Sequence, residues 1–293
     1  MTNVNLSRTL RLRKFTQEEI MSIPTREVAL DREQWWAGGQ PLLTPPEGQT
    51  KGYKTAFHGD YLAILHLSSD RIDYLDRTYI TCEKATHGPG GCAENCIMWT
   101  GRGQRQKNGE ESSVAAGRRK RTEWLIKFPP TFLRQLVHEI SLHRDRAHKR
   151  GMQPCVRLNG TSDIVWEQVV PWLFPMFDDV QFIDYTKLPA KKRGPMPDNY
   201  TLAWSAQATV DTIDDLMNMI HDGRNVSVIV DEPGAVVRLK QCVSGDTADT
   251  WMVGKTGKLG ILKPKYPLPV DHPTVYRATE LRSALKAEGA VLV

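Results

Sequence analysis

The stretch CEKATHGPGGCAENCIMW, from Cys82 to Trp99, holds three of the chain's five cysteines. Thiolates gathered this way can close a disulfide, bind zinc, form a redox pair or hold an iron–sulfur cluster, and each chemistry makes its own demand on spacing. Zinc sites favour CxxC knuckles that complete four ligands in a compact stretch, and thioredoxin-type pairs need CxxC as well. Cys82, Cys92 and Cys96 contain no CxxC, although His87 offers a fourth zinc ligand. A 4Fe–4S cluster tolerates varied spacing, and the glycines of HGPGG let the backbone close around sulfides. Three protein thiolates would leave one iron open to a small molecule. On spacing alone, iron–sulfur, zinc and unligated cysteines all stand. Cys155 and Cys242 lie in apolar contexts, where a free cysteine acts as a small hydrophobe, yet either can supply a fourth thiolate across the fold.

A second group of chemically capable residues ends successive strand-like runs. CVRLNGTSD (Cys155–Asp163), VQFIDYTK (Val180–Lys187), YTLAWSAQ (Tyr200–Gln207) and NVSVIVDEPG (Asn225–Gly234) each finish in polar residues, and YLAILHLSS (Tyr61–Ser69) precedes them. Helical stripes alternate with these runs. Phe132, Leu133, Leu136, Val137 and Ile140 predict a helix from Pro130 to Arg150. Trp166, Val169, Val170 and Leu173 predict another. Ile213, Leu216, Met217 and Ile220 predict a third, capped at Asp211 with Asp214 and stopping near Gly223. Such alternation specifies parallel βα units, whose ligand sites lie at the carboxyl ends of the strands. Asp, Asn and Thr at those ends also serve as helix caps. Residues 1–50 read as an arm packed on the core, 51–293 as a single α/β domain, and Cys242–Lys265 as a C-terminal β-hairpin around Gly254–Gly257.

At 293 residues, with one quarter charged and eight tryptophans, the chain belongs among folded globular proteins. MTNVNLSRTLRLRKF lacks the apolar core of a secretory signal, and no run approaches the roughly 18 to 20 apolar residues of a membrane span. A cytoplasmic protein without a membrane partner is expected, and in that reducing setting a disulfide framework is not. The formal charge of +5 is modest, with local excess in GRRKR (Gly117–Arg121) and KKR (Lys191–Arg193). Residues 118–121 are either a solvated face or a nucleic-acid contact.

GYKTAFHGDYLAILHLSS, the spaced cysteines leading to TGRG, RLNGTSDIVWE, FIDYTK, the YTLAWS strand and GDTAD (Gly245–Asp249) follow in an order that resembles the phage gene product 88 family. The resemblance implies an α/β fold with a partial parallel βα barrel, radical-SAM-like and so TIM-barrel-like, in the cytoplasm of an infected bacterial host. It implies a 4Fe–4S cluster on Cys82, Cys92 and Cys96. S-adenosylmethionine or another small chelating ligand would then take the open iron, with Arg157, Asn159, Thr161 and Asp163 binding polar ligand groups from one strand end and Asp184 and Lys187 from the next. Arg157 and Asp184 read equally well as a buried ion pair. The CxxxCxxC of typical radical-SAM enzymes is absent. Two functions are carried forward: an iron–sulfur enzyme of unassigned reaction, and a non-enzymatic iron–sulfur or zinc protein acting in redox sensing, nucleic-acid binding or host-protein binding.

Overall fold

Runs rich in Val, Ile, Leu and aromatic residues form the strands of the computed structural model, which describes residues 8–35, 40–69, 72–75, 77–84, 92, 96–97, 110–265, 271–287 and 289. In chain order these strands are β1 (Arg8–Thr9), β2 (Leu43–Thr44), β3 (Asp60–Leu65), β4 (Ile72–Tyr74), β5 (Arg77–Ile80) and β6 (Gln153–Arg157). Then follow β7 (Gln181–Thr186), β8 (Tyr200–Ser205), β9 (Asn225–Ile229), β10 (Cys242–Ser244) and β11 (Leu259–Leu262). Eight of them make one sheet in the order β10-β11-β9-β8-β7-β6-β3-β2. Every neighbouring pair is parallel except β2 with β3. The chain is therefore a mixed α/β protein on a mostly parallel sheet, and β1, β5 and β4 form a separate small sheet.

The helices are α1 (Gln17–Met21), α2 (Thr25–Trp35), α3 (Thr50–Ala56), α4 (Ser113–Lys127), α5 (Pro129–Lys149) and α6 (Trp166–Val169). The remainder are α7 (Leu173–Met176), α8 (Ala190–Arg193), α9 (Ile213–His221), α10 (Pro233–Val236) and α11 (Ala278–Ala287). Among the described residues no helix is long and apolar enough to cross a membrane.

Alternation along each strand sorts side chains to two faces of the sheet. On one face Val156 and Phe182 pack with Phe132, Leu136 and Ile140 of α5, and with Phe15, Ile20 and Val28 from the N-terminal segment. The face continues through Trp204, opposite Val226 in register, to Val228 and Ile261, which pack with Leu216 of α9 and Leu281 of α11. On the other face Leu62, Ile64, Cys155, Ile183 and Ala203 gather around Trp251 and Met252, carried on a 3-10 turn at Asp249–Met252. Each aliphatic side chain fully buried this way contributes about 1.5–3 kcal/mol.

Three expectations are corrected. Cys242–Ser244 and Leu259–Leu262 pair in parallel, so the C-terminal β-hairpin does not form. Parallel neighbours require a crossover, and the Gly245–Lys258 connection supplies it with the turn that carries Trp251. The Trp166–Leu173 stripe is two single-turn helices, α6 and α7, because Pro171 has no N–H to continue a helical ladder. The cap of α9 is Thr212, whose hydroxyl accepts from Asp215 N while the Asp215 carboxylate answers the Thr212 N–H. Asp211 accepts instead from Gln207 N at 2.9 Å and Trp204 Nε1 at 3.2 Å.

Candidate functional site

The loop after β6 is built around a glycine. A Cβ on Gly160 would lie 2.5 Å from Ile64 Cγ2 and 2.7 Å from both Leu65 O and His66 Nδ1, so only glycine lets this loop press against the end of β3. The residues around it hold the turn. Asn159 Oδ1 accepts from Ser162 Oγ at 2.9 Å, Ile164 N at 2.9 Å and Trp166 Nε1 at 3.2 Å. Thr161 donates to Leu67 O. The NGTSD motif thus joins two strand ends before any ligand is considered.

Beneath the loop lies a buried charge network. Arg157, the last residue of β6, donates from Nη1 to Asp249 Oδ2 at 3.0 Å, and its Nε stands 3.7 Å from Asp184 Oδ1. The guanidinium sits 4.7 Å over the Tyr185 ring. Asp184 is wholly buried and accepts from Asn159 N and from Tyr200 Oη, both at 2.8 Å. The ion-pair reading of Arg157 with Asp184 is thereby realised. A second guanidinium, Arg193, faces Glu167 at 3.1 Å and Asp163 at 3.5 Å. Asp163 Oδ2 in turn accepts from Lys187 N at 2.8 Å.

Four carboxyl groups, Asp163, Glu167, Asp184 and Asp249, thus share the two guanidiniums of Arg157 and Arg193. Burial pushes the Asp184 carboxyl up to about 7, although Arg157 and Tyr200 pull the other way. Burial also raises Asp163 and Glu167. His66 is pushed well below its ordinary value by burial and by the nearby guanidiniums of Arg118, Arg157 and Arg121.

Above this floor the sheet opens into a cavity of about 250 Å³. Cys82, Cys92 and Cys96 line it together with Arg157, Thr161 and Lys187. All three cysteines are outside any disulfide and of intermediate exposure, and Cys96 Sγ lies 3.2 Å from Ser69 Oγ. Burial drives the Cys82 thiol up to about 12, with Asp163 and the other two cysteines acting in the same direction. Burial raises Cys92 too, opposed by Lys187. Among the described residues no three His, Cys, Asp or Glu side chains converge on a single metal ion. His87, HGPGG and TGRG lie outside the described residues.

Five of the six strand-end residues expected to meet a ligand, Arg157, Asn159, Thr161, Asp163 and Lys187, line this cavity. Asp184 sits behind Arg157 and Asn159. Cys155 packs on the Trp251 side of the sheet and Cys242 against the apolar residues of β9 and β11, so neither joins the other thiols. The basic run is part of α4, where Arg118 is 9% exposed. Arg119 pairs with Glu111 at 2.9 Å and Glu123 at 3.0 Å, and Arg121 donates to Pro41 O at 3.2 Å.

Sequence reasoning missed Asp249, which is 1% exposed and supplies the closest carboxylate to Arg157. GDTAD signalled an acidic turn but not its destination. The partner signal was Gly260, where a Cβ would meet Trp251 Cζ2 at 2.4 Å. That glycine admits the indole, and Trp251 Nε1 then donates to Tyr185 Oη at 2.9 Å.

No curated protein and no solved structure matches the chain. A family model does match residues 42–278, which include all three cavity cysteines, the loop after β6 and the Asp249 turn, and on that match the chain belongs to the gene product 88 family of phage proteins.

Proposed function

We propose that this chain holds a 4Fe–4S cluster on Cys82, Cys92 and Cys96 at the rim of the cavity and binds a small polar molecule across the strand ends, S-adenosylmethionine being the ligand this reading names. The observation that carries it is that three cysteines outside any disulfide, distant in sequence from β6 and β7, line the same cavity as Arg157, Thr161, Asp163 and Lys187. A mostly parallel sheet with the cavity at the carboxyl ends of its strands is compatible with a partial βα barrel of radical-SAM-like type.

What supports the reading is donor type, three cysteine thiols in the lining of one cavity. One zinc ion needs its ligands to converge at about 2.3 Å from a common point, whereas a cluster takes each thiolate on a different iron and spreads them apart. Cys155 and Cys242 pack in apolar clusters elsewhere, so a cluster on the three cavity cysteines would have a fourth iron without a cysteine ligand from this chain. When bound, such a cluster supplies low-potential one-electron chemistry. The chain's own residues do the rest. Lys187 offsets thiolate charge near Cys92, and Asp249 and Asp184 hold the Arg157 guanidinium against the Tyr185 ring as a fixed wall.

Anaerobic purification tests the cluster directly. Brown protein with about four iron and four sulfide per chain is expected, and Cys92→Ala should abolish the thiolate-to-iron absorption. Reduction with dithionite in the presence of S-adenosylmethionine, with 5′-deoxyadenosine measured, tests the enzyme. Brown protein that neither cleaves nor responds spectrally to that ligand would leave a non-enzymatic cluster protein, in redox sensing or in binding a nucleic acid or host protein. Colourless protein carrying stoichiometric zinc would defeat both cluster readings.

A further inference from the structure

Part of the cavity lining is built by two serines on neighbouring strands. Ser205 closes β8 and Ser227 lies beside it on β9, the two in direct parallel register. Both line the cavity. Ser227 is 3% exposed, and neither hydroxyl has a hydrogen-bond partner among the described residues. Ser205 is part-buried, and both residues face the cavity, so their hydroxyls are met by whatever fills it, water included. Ile229 and Leu262 supply apolar wall on the same side.

Lys187 reaches into this space from β7. Its Nζ donates to Ser205 O at 2.6 Å, which uses one of the three donors of an ammonium. Its backbone N–H is fixed to Asp163 Oδ2 at 2.8 Å. The carboxylates of the lining already face guanidiniums, Asp249 with Arg157 and Asp163 with Arg193. The Lys187 ammonium is thus held in place with donors to spare, beside two open hydroxyls.

We propose that this part of the cavity is a subsite for an oxyanion, carboxylate or phosphate, borne by a small molecule whose apolar body lies on Ile229 and Leu262. Lys187 supplies the charge, and the Ser205 and Ser227 hydroxyls donate to the anion's oxygens. The assignment deepens the ligand-binding reading of this cavity and rests on it, but it does not require the cysteines to hold a cluster. Because Lys187 also stands near Cys92, an oxyanion seated there would place the remainder of the molecule close to the thiols.

Calorimetric titration of the full chain with inorganic phosphate, and separately with acetate and succinate, is the test. Saturable binding of at least one probe is expected, and the preferred probe identifies which oxyanion the subsite takes. Lys187→Gln should weaken that binding about tenfold or more, Lys187→Arg should keep most of it, and Ser227→Ala should weaken it about three- to tenfold. Should Lys187→Gln fail to fold, the Ser205→Ala and Ser227→Ala variants carry the measurement. Iron and sulfide content of the parent is measured separately from probe binding, so the two readings fail independently. Absent iron in the parent therefore sinks only the cluster, whereas no saturable binding of any probe, or equal affinity in Lys187→Gln and the serine variants, overturns the oxyanion subsite.

Discussion

Asp184 shows how one carboxyl can carry both structure and pH dependence. Its oxygens accept from Asn159 N and Tyr200 Oη and face Arg157 Nε, yet burial sets its pKa at about 7. In the unfolded chain it titrates near pH 4. Between those values the folded state keeps a proton that the unfolded state has released, so this group's stabilisation is full below about pH 4 and is lost as the pH rises through 7. Asp163 and Glu167, raised by the same burial, act with the same sign. His66 and His143, depressed by burial, contribute the opposite slope, so the Asp184 share is read as a difference: in urea unfolding the parent's stability relative to Asp184→Asn should fall as the pH rises across that range. Gly160 makes a different kind of demand. An added Cβ there would meet Ile64 and the Leu65 carbonyl, and because backbone cannot step aside as a side chain can, Gly160→Ala should cost about 1–3 kcal/mol in the same assay.

Periodicity made the central βα units legible. The α5 stripe and the runs of β7, β8 and β9 fall within a few residues of where pattern placed them, because burial on one face imposes period 3.6 or 2 on the sequence. The α4 helix was not legible, since GRRKR advertises charge where the fold uses Arg118 as a buried residue beside Ala115 and Trp124. Nor was the crossover between β10 and β11. Two glycines near a turn look alike in a hairpin and in a longer connection, and only the parallel pairing of Cys242 with Leu259 separates them. Trp251 is what that connection delivers, packed on Gly260 and hydrogen-bonded to Tyr185. Trp251→Ala should cost about 3–5 kcal/mol of unfolding free energy, whereas Thr212→Ala, which removes the α9 cap, should cost only about 1 kcal/mol. Thermal or urea unfolding followed by circular dichroism distinguishes the two.

The cysteines of the candidate site could be read by residue type, but the charge network under it could not, because its members come from distant segments that only the parallel sheet brings together. Asp249 and its neighbours illustrate this. The stretch from Asp246 to Thr250 reaches across to Lys54, Thr55, Asp60 and Arg157, joining the last strands of the sheet to the first. No local pattern encodes such a meeting. Its energetics follow from burial: Arg157 and Asp249 are 9% and 1% exposed, so removing one partner leaves the other desolvated with less countercharge. Asp249→Ala should therefore destabilise the chain by about 3–5 kcal/mol, while replacing both charges together, as in Arg157→Met with Asp249→Leu, should cost less than the two single changes added. Urea unfolding of the parent, both singles and the double variant measures that difference. If the double variant loses the full sum, the two side chains act independently and the contact across the sheet does not couple its halves.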